Sequence, residues 1–116
     1  MKYMALIYAS DEATPKYDTQ EGQQMFQDYM AVTAKFQEDG VMVSGDALEG
    51  VEMATTVRIR NGETETMDGP FTETKEQLGG YYIFDVESLD EALRYAAMIP
   101  TSKYGTIEVR PLKVFD

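Results

Sequence analysis

Two kinds of apolar spacing alternate along this 116-residue chain, and their order leaves few folds open. Met1 to Ala9 is apolar at nearly every position before Ser10-Asp11-Glu12 closes it, which predicts a short strand that is buried on both sides or paired centrally. Asp11 to Asp18, with Pro15 restricting Thr14 to extended geometry, reads as a loop. The next apolar set has helical spacing: Met25, Tyr29, Val32 and Phe36 recur at intervals of four, three and four, with Phe26, Met30 and Thr33 as an adjoining stripe. Asp18 with Glu21 has the form of a capping box, and Gly40 stands where helices end in a left-handed residue. Together these predict a helix of about five turns.

Val41 to Gly45 then reads as a short strand and Asp46 to Ala54 as loop. Thr55 to Arg60 alternates, with Thr56, Arg58 and Arg60 on one face against Val57 and Ile59 on the other. Asn61-Gly62 is a strong hairpin signal, so Glu63 to Met67 should return antiparallel. Gly80 to Val86 is a further strand, rich in aromatic and β-branched residues. Ser88 and Glu91 form a second capping box, opening a helix whose buried face is expected at Leu89, Leu93, Ala96 and Ala97 and which stops before Pro100. Gly105 to Phe115 is the last expected strand, alternating Ile107, Val109 and, past Pro111, Leu112 and Val114. Without the hairpin, this order is the split β-α-β pattern of a ferredoxin-like α+β sandwich, an antiparallel sheet with two helices on one face. Strands apolar on both faces imply a partner on the second face, and a homodimer is expected.

Composition removes several chemistries. There is no Cys and no His, so disulfides, thiolate nucleophiles, imidazole bases and His- or Cys-ligated metals are excluded. The 10 Lys+Arg against 21 Asp+Glu leave a formal charge of −11, which opposes a nucleic-acid partner. The acids are spread along the chain without a loop of alternating carboxylates, so no metal and no cofactor are expected. The longest uncharged apolar run, Tyr3 to Ala9, is far short of the roughly 20 residues that cross a bilayer. No secretory cleavage pattern follows Lys2, and the expectation is one soluble cytoplasmic domain over residues 1–116 with no membrane partner.

The stretch from Met67 to Tyr81 carries the most information, because a connection of that length in a small domain is commonly functional. It contains Asp68-Gly69-Pro70-Phe71, then Thr72-Glu73-Thr74-Lys75-Glu76, then Leu78-Gly79-Gly80-Tyr81-Tyr82. With Met1-Lys2-Tyr3-Met4 and Leu6-Ile7-Tyr8 at the start, Leu89-Asp90-Glu91-Ala92-Leu93 after it, and Ile107-Glu108-Val109-Arg110-Pro111 at the end, the chain resembles the DGPF-domain proteins. These lie within the YCII-related domains. The resemblance implies a ferredoxin-like fold forming a dimeric α+β barrel. It also implies chemistry on small aromatic or lactone substrates, since the wider group includes an enzyme that removes chloride from a hydroxylated aromatic ring. Some members lie beside genes for extracytoplasmic-function sigma factors. A His and an Asp are proposed as a catalytic pair in the YCII branch, and this chain, lacking His, cannot carry that mechanism over.

Asp68 is the candidate catalytic carboxylate, a general base or ligand anchor enclosed beside Pro70 and Phe71. Its structural alternative is to fix the turn by accepting from the amides that follow. Lys75 and Arg58 are candidate clamps for an anionic substrate group, against the alternatives of a solvated ion pair for Lys75 and cross-strand pairing with Glu63 or Glu65 for Arg58. Arg110 has the same two readings. Tyr8 and Tyr82 are candidate cleft residues, against core or dimer interface, and strand alternation puts Tyr81 and Tyr82 on opposite faces. Gly69, Pro70, Phe71, Gly79 and Gly80 shape the segment, the glycine pair by a bulge or a close approach. Ser44 has no visible base partner. Two functions stay open. One is a small-molecule-binding enzyme acting by carboxylate-assisted proton transfer, with its cleft between the sheet and Asp68 to Gly80. The other is a non-catalytic regulatory module linked to a sigma factor.

Overall fold

The computed structural model describes residues 1–115; Asp116, the last residue of the expected domain, lies outside the described residues. Its elements are β1 (Lys2–Ala9), α1 (Gln20–Glu38), β2 (Met42–Ala47), β3 (Thr55–Arg60), β4 (Glu63–Asp68), β5 (Gln77–Asp85), α2 (Leu89–Ala96) and β6 (Thr106–Pro111), with short 3₁₀ turns at Val51–Met53 and Pro100–Lys103. The main sheet is antiparallel in the order β2-β5-β1-β6, which is the ferredoxin-like arrangement, and β1 is central in it. Both helices lie on one face, where Val32 and Phe36 of α1 and Ala92, Tyr95 and Ala96 of α2 meet Tyr3, Ala5, Ile7, Tyr82 and Phe84 of the sheet.

Aromatic edges organise that core. Phe36, fully buried, lies edge-on to Tyr82, Phe84 and Tyr95 at centroid separations of 5.2, 4.9 and 5.7 Å. The expected stripe of α1 divides along its length: Val32 and Phe36 are buried, while Met25 and Tyr29 are half-buried. On α2 the buried face is Ala92, Tyr95 and Ala96 followed by Ile99; of the expected face Ala96 is buried, while Leu89, Leu93 and Ala97 are exposed. Both sets share the same period, and the small Ala92 and Ala96 let the helix approach the sheet closely while Tyr95 reaches Phe36.

Capping also differs from expectation at α1. Thr19, not Asp18, is the N-cap, and its hydroxyl accepts from the Gly22 amide at 3.0 Å. With Thr19 as N-cap the N3 residue is Gly22, which has no side chain to reach back, so the Asp18/Glu21 box does not form; a Cβ on Gly22 would lie 1.9 Å from the Lys16 carbonyl oxygen. Gly40 does end the helix with φ +71°. At α2 the Ser88 hydroxyl accepts from the Glu91 amide at 3.2 Å, and the Glu91 carboxylate accepts from Glu87 rather than from the cap itself.

Three strand boundaries shift. β2 runs on through Asp46 to Ala47, β5 begins at Gln77, and β6 ends at Pro111, leaving Val114 and Phe115 exposed. The connection expected from Met67 to Tyr81 thereby shortens to residues 69–76. β3 and β4 form the expected hairpin through Asn61 (φ +53°) and Gly62 (φ +79°), yet they make a separate two-stranded sheet. It stands on a neck where the Gly69 amide donates to the Ala54 carbonyl at 2.8 Å and the Thr56 hydroxyl donates to the Gly69 carbonyl at 2.7 Å. The radius of gyration is 16.2 Å, against about 13 Å for a compact chain of this length.

Candidate functional site

The second face of the main sheet carries no helix, and the strand registers set out its side chains in rows. Ser44, Ile83, Met4 and Arg110 form one row across β2-β5-β1-β6, and Asp46, Tyr81, Leu6 and Glu108 the next. Leu78, Tyr8 and Thr106 complete a third. The middle of the face is therefore apolar, at Met4, Leu6 and Ile83, and both edges are polar. An apolar centre with a polar rim is the anatomy of a surface that meets another surface.

The end of this face at Tyr8 and Leu78 is where residues 69–76 enter β5. Between Ile7↔Gly80 and Tyr8↔Leu78 the register shifts, making Gly79 the extra residue of a bulge. At Gly80 an added Cβ would lie 2.9 Å from the Asp46 carbonyl oxygen, so β2 approaches β5 closely there. The Tyr81 hydroxyl donates to Asp46 Oδ2 at 2.9 Å, and this hydrogen bond to a carboxylate raises the phenol's pKa above its ordinary value. On the opposite edge Arg110 pairs with Glu108, and the guanidinium's pKa is raised by that contact.

The structure disperses the residues singled out from the sequence. Asp68 ends β4 and is exposed, and among the described residues its carboxylate accepts no hydrogen bond. Phe71 is 80% exposed, so Asp68 is not enclosed beside Pro70 and Phe71. The turn is held by Gly69 (φ +90°) and the neck bonds instead of by an Asp68 side-chain turn. Lys75 faces Glu12 at 3.9 Å, both extended into solvent, rather than Asp68. Arg58 pairs with Glu65 at 3.1 Å across the hairpin. Tyr8 is half-buried on the second face, whereas Tyr82 belongs to the helix-side core, where its hydroxyl bonds the Thr33 hydroxyl at 2.7 Å. Tyr82 thus lies on the opposite side of the sheet from Tyr8 and Tyr81.

Two open grooves of about 350 and 370 Å³ run along α1 beside Pro100 and Lys103, away from all of these residues. No group of three or more Asp or Glu able to hold a metal occurs among the described residues, and no helix is long and apolar enough to cross a membrane. The Asp46–Tyr81 pair escaped sequence reasoning because Asp46 was expected in a loop. No period-2 signal marks it, because the register of β2 shifts between Met42, which packs with the helix-side core, and Ser44, which shares the second face with Asp46.

Comparison with known proteins adds the family. The whole chain, residues 1–116, matches the family described as the YCII-related domain. An uncharacterised protein of Rhizobium meliloti (strain 1021) is 39% identical over 117 residues, covering 99% of this chain and 94% of its own. Among solved structures, 5-chloro-2-hydroxyhydroquinone dehydrochlorinase from Burkholderia phenoliruptrix AC1100, in complex with 2,5-dihydroxybenzoquinone, superposes with a TM-score of 0.54 at 17% identity. That match covers 97% of this chain and 94% of the other, and it establishes a shared fold.

Proposed function

The chain belongs to the YCII-related domain family, and we propose that it is a homodimer that binds a small aromatic or lactone-like molecule against the second face of its four-stranded sheet. Two copies bring these faces together as a dimeric α+β barrel, and the ligand lies between them over the apolar centre of the face, entering from the end where residues 69–76 join β5. The observation that carries the reading is the unhelixed apolar centre at Met4, Leu6 and Ile83 framed by Tyr8, Tyr81 and charged edges. Such a face is costly in water and suits both a second copy and an aromatic ring. The dehydrochlorinase of like fold, named for a hydroxylated aromatic substrate, supports the substrate class.

The chemistry assigned to the site is carboxylate-assisted proton transfer, because the chain has no His to act as base. Asp68 is assigned as the proton-transfer or anchoring carboxylate, and Lys75 or Arg58 as the electrostatic clamp. The test is thermal melting and sedimentation with a panel of small aromatic acids, phenols and lactones. The expected result is a particle of twice 13.1 kDa whose melting temperature rises with at least one class of compound. A monomer stabilised by none of them overturns the reading.

A second reading, a regulatory module that binds another protein, is favoured by the hairpin. Val57 and Ile59 on one of its faces are 63% and 64% exposed, an apolar stripe on a projecting arm. Co-purification with a sigma factor that is lost in Ile59→Lys would support it, and no such partner would remove it.

A further inference from the structure

The side chains on the second sheet face differ in how they are held. Met4, Leu6 and Ile83 offer area without direction, and Glu108 and Arg110 satisfy each other. Asp46 is different. The Tyr81 hydroxyl occupies Oδ2, and among the described residues Oδ1 accepts no hydrogen bond. The two residues are register partners on adjacent strands, and the tight β2-β5 approach at Gly80 sets the spacing of their backbones. Leu6 lies beyond Tyr81 in the same row and Ile83 in the neighbouring one, so a ring laid on Leu6, Ile83 and the Tyr81 ring has one edge on the Asp46 side.

We propose that Asp46, held by Tyr81, is the ligand-recognising carboxylate of this face and that it selects a neutral ring-borne hydroxyl group, accepting its O–H at Oδ1 while the ring rests on Leu6 and Ile83. This rests on the reading of the face as a ligand site. It names a different carboxylate from Asp68 and adds the protonation state of the ligand. A carboxylate accepts from a neutral phenol and repels a phenolate or enolate, so the site discriminates between a hydroquinone and an ionised hydroxyquinone of the same size. Tyr81 is the positioning residue. Its phenol is a donor throughout the neutral range, and the hydrogen bond to Asp46 shifts its pKa further up.

The experiment measures calorimetric binding of hydroquinone, neutral at pH 7, and of 2,5-dihydroxybenzoquinone, ionised at pH 7, to the wild-type protein and to Asp46→Asn, Tyr81→Phe and Glu38→Gln, the last an exposed carboxylate at the end of α1. Expected is a preference of the wild type for hydroquinone. Asp46→Asn should bind hydroquinone about tenfold more weakly and the ionised quinone more tightly, reversing the preference. Tyr81→Phe should weaken hydroquinone by a few-fold without reversing it, and Glu38→Gln should change neither. A merely structural Asp46 lowers affinity for both probes alike, and that outcome overturns the proposal. Hydroquinone bound equally by the wild type and Asp46→Asn overturns it too, while leaving the small-molecule reading standing. Failure of the wild type to bind any compound of the panel overturns both.

Discussion

Tyr29 illustrates how a single side chain ties stability to pH. Its hydroxyl is hydrogen-bonded to the Thr101 hydroxyl beneath the turn that follows α2, and burial pushes its pKa from 10.0 up to about 12. Between those values the unfolded phenol has lost a proton that the folded phenol keeps, so rising pH favours unfolding. The stabilisation is fully present below pH 10 and is lost as pH approaches 12. Denaturant midpoints should therefore fall across this window and fall less in Tyr29→Phe, with residual slope from the buried Tyr82, whose pKa is raised in the same direction. Gly22 poses the opposite kind of conflict. Alanine is the better helix former by about 1 kcal/mol, yet its Cβ would lie 1.9 Å from the Lys16 carbonyl oxygen, a backbone atom that cannot rotate away. Gly22→Ala should destabilise by roughly 1–3 kcal/mol in urea unfolding, because overlap outweighs propensity.

Among the elements, α1 separates two caps that the sequence offers side by side. Asp18 and Thr19 are both good N-cap types, and only Thr19 bonds the Gly22 amide. Thr19→Ala should cost about 1 kcal/mol and Asp18→Ala far less, measured by the same unfolding curves. A reversed order would mean that the helix begins one residue earlier. The β3-β4 hairpin offers a test of independence. Its ends, Ala54 and Gly69, are already joined by a 2.8 Å hydrogen bond, and its strands pair only with each other. Removing residues 55–68 through a short glycine junction should leave the four-stranded sheet folded, with the melting temperature of the monomeric unit within a few degrees of the parent. A collapse of cooperative melting would show that the arm supports the core.

For the whole molecule, the proposed pairing of two copies through the second sheet face is testable at its apolar centre. Leu6→Glu places a charge at that centre and should convert the proposed homodimer to a monomer without unfolding it, since Leu6 points away from the helix-side core. Small-angle scattering of that monomer should give a Cα radius of gyration near 16.2 Å, because the hairpin projects. A value near 13 Å would mean that the arm folds back. If Leu6→Glu remains dimeric, the contact between copies lies elsewhere, with the exposed stripe of Val57 and Ile59 as the alternative surface.

Much of this architecture is legible in local sequence. Period-2 and period-3.6 patterns place β1, α1, β3, β5 and α2, Asn61-Gly62 dictates the hairpin, Gly40 ends α1, and the lack of His and Cys confines any acid–base chemistry largely to carboxylates. These follow from steric and hydrogen-bonding preferences that act within a few residues. Tertiary packing decided the rest. Leu89/Leu93 and Ala92/Tyr95 satisfy the same helical period, and only packing against the sheet selects Ala92 and Tyr95 beside the expected Ala96. The hairpin pattern says that β3 pairs with β4, and nothing local says that the pair stands apart from the sheet. Asp68 draws attention within a distinctive tetrapeptide, whereas Asp46 finds Tyr81 across 35 residues of chain. That meeting depends on the β2-β5 register, a long-range choice made by burying Phe84 and Tyr82 beneath α1, and no local preference encodes it.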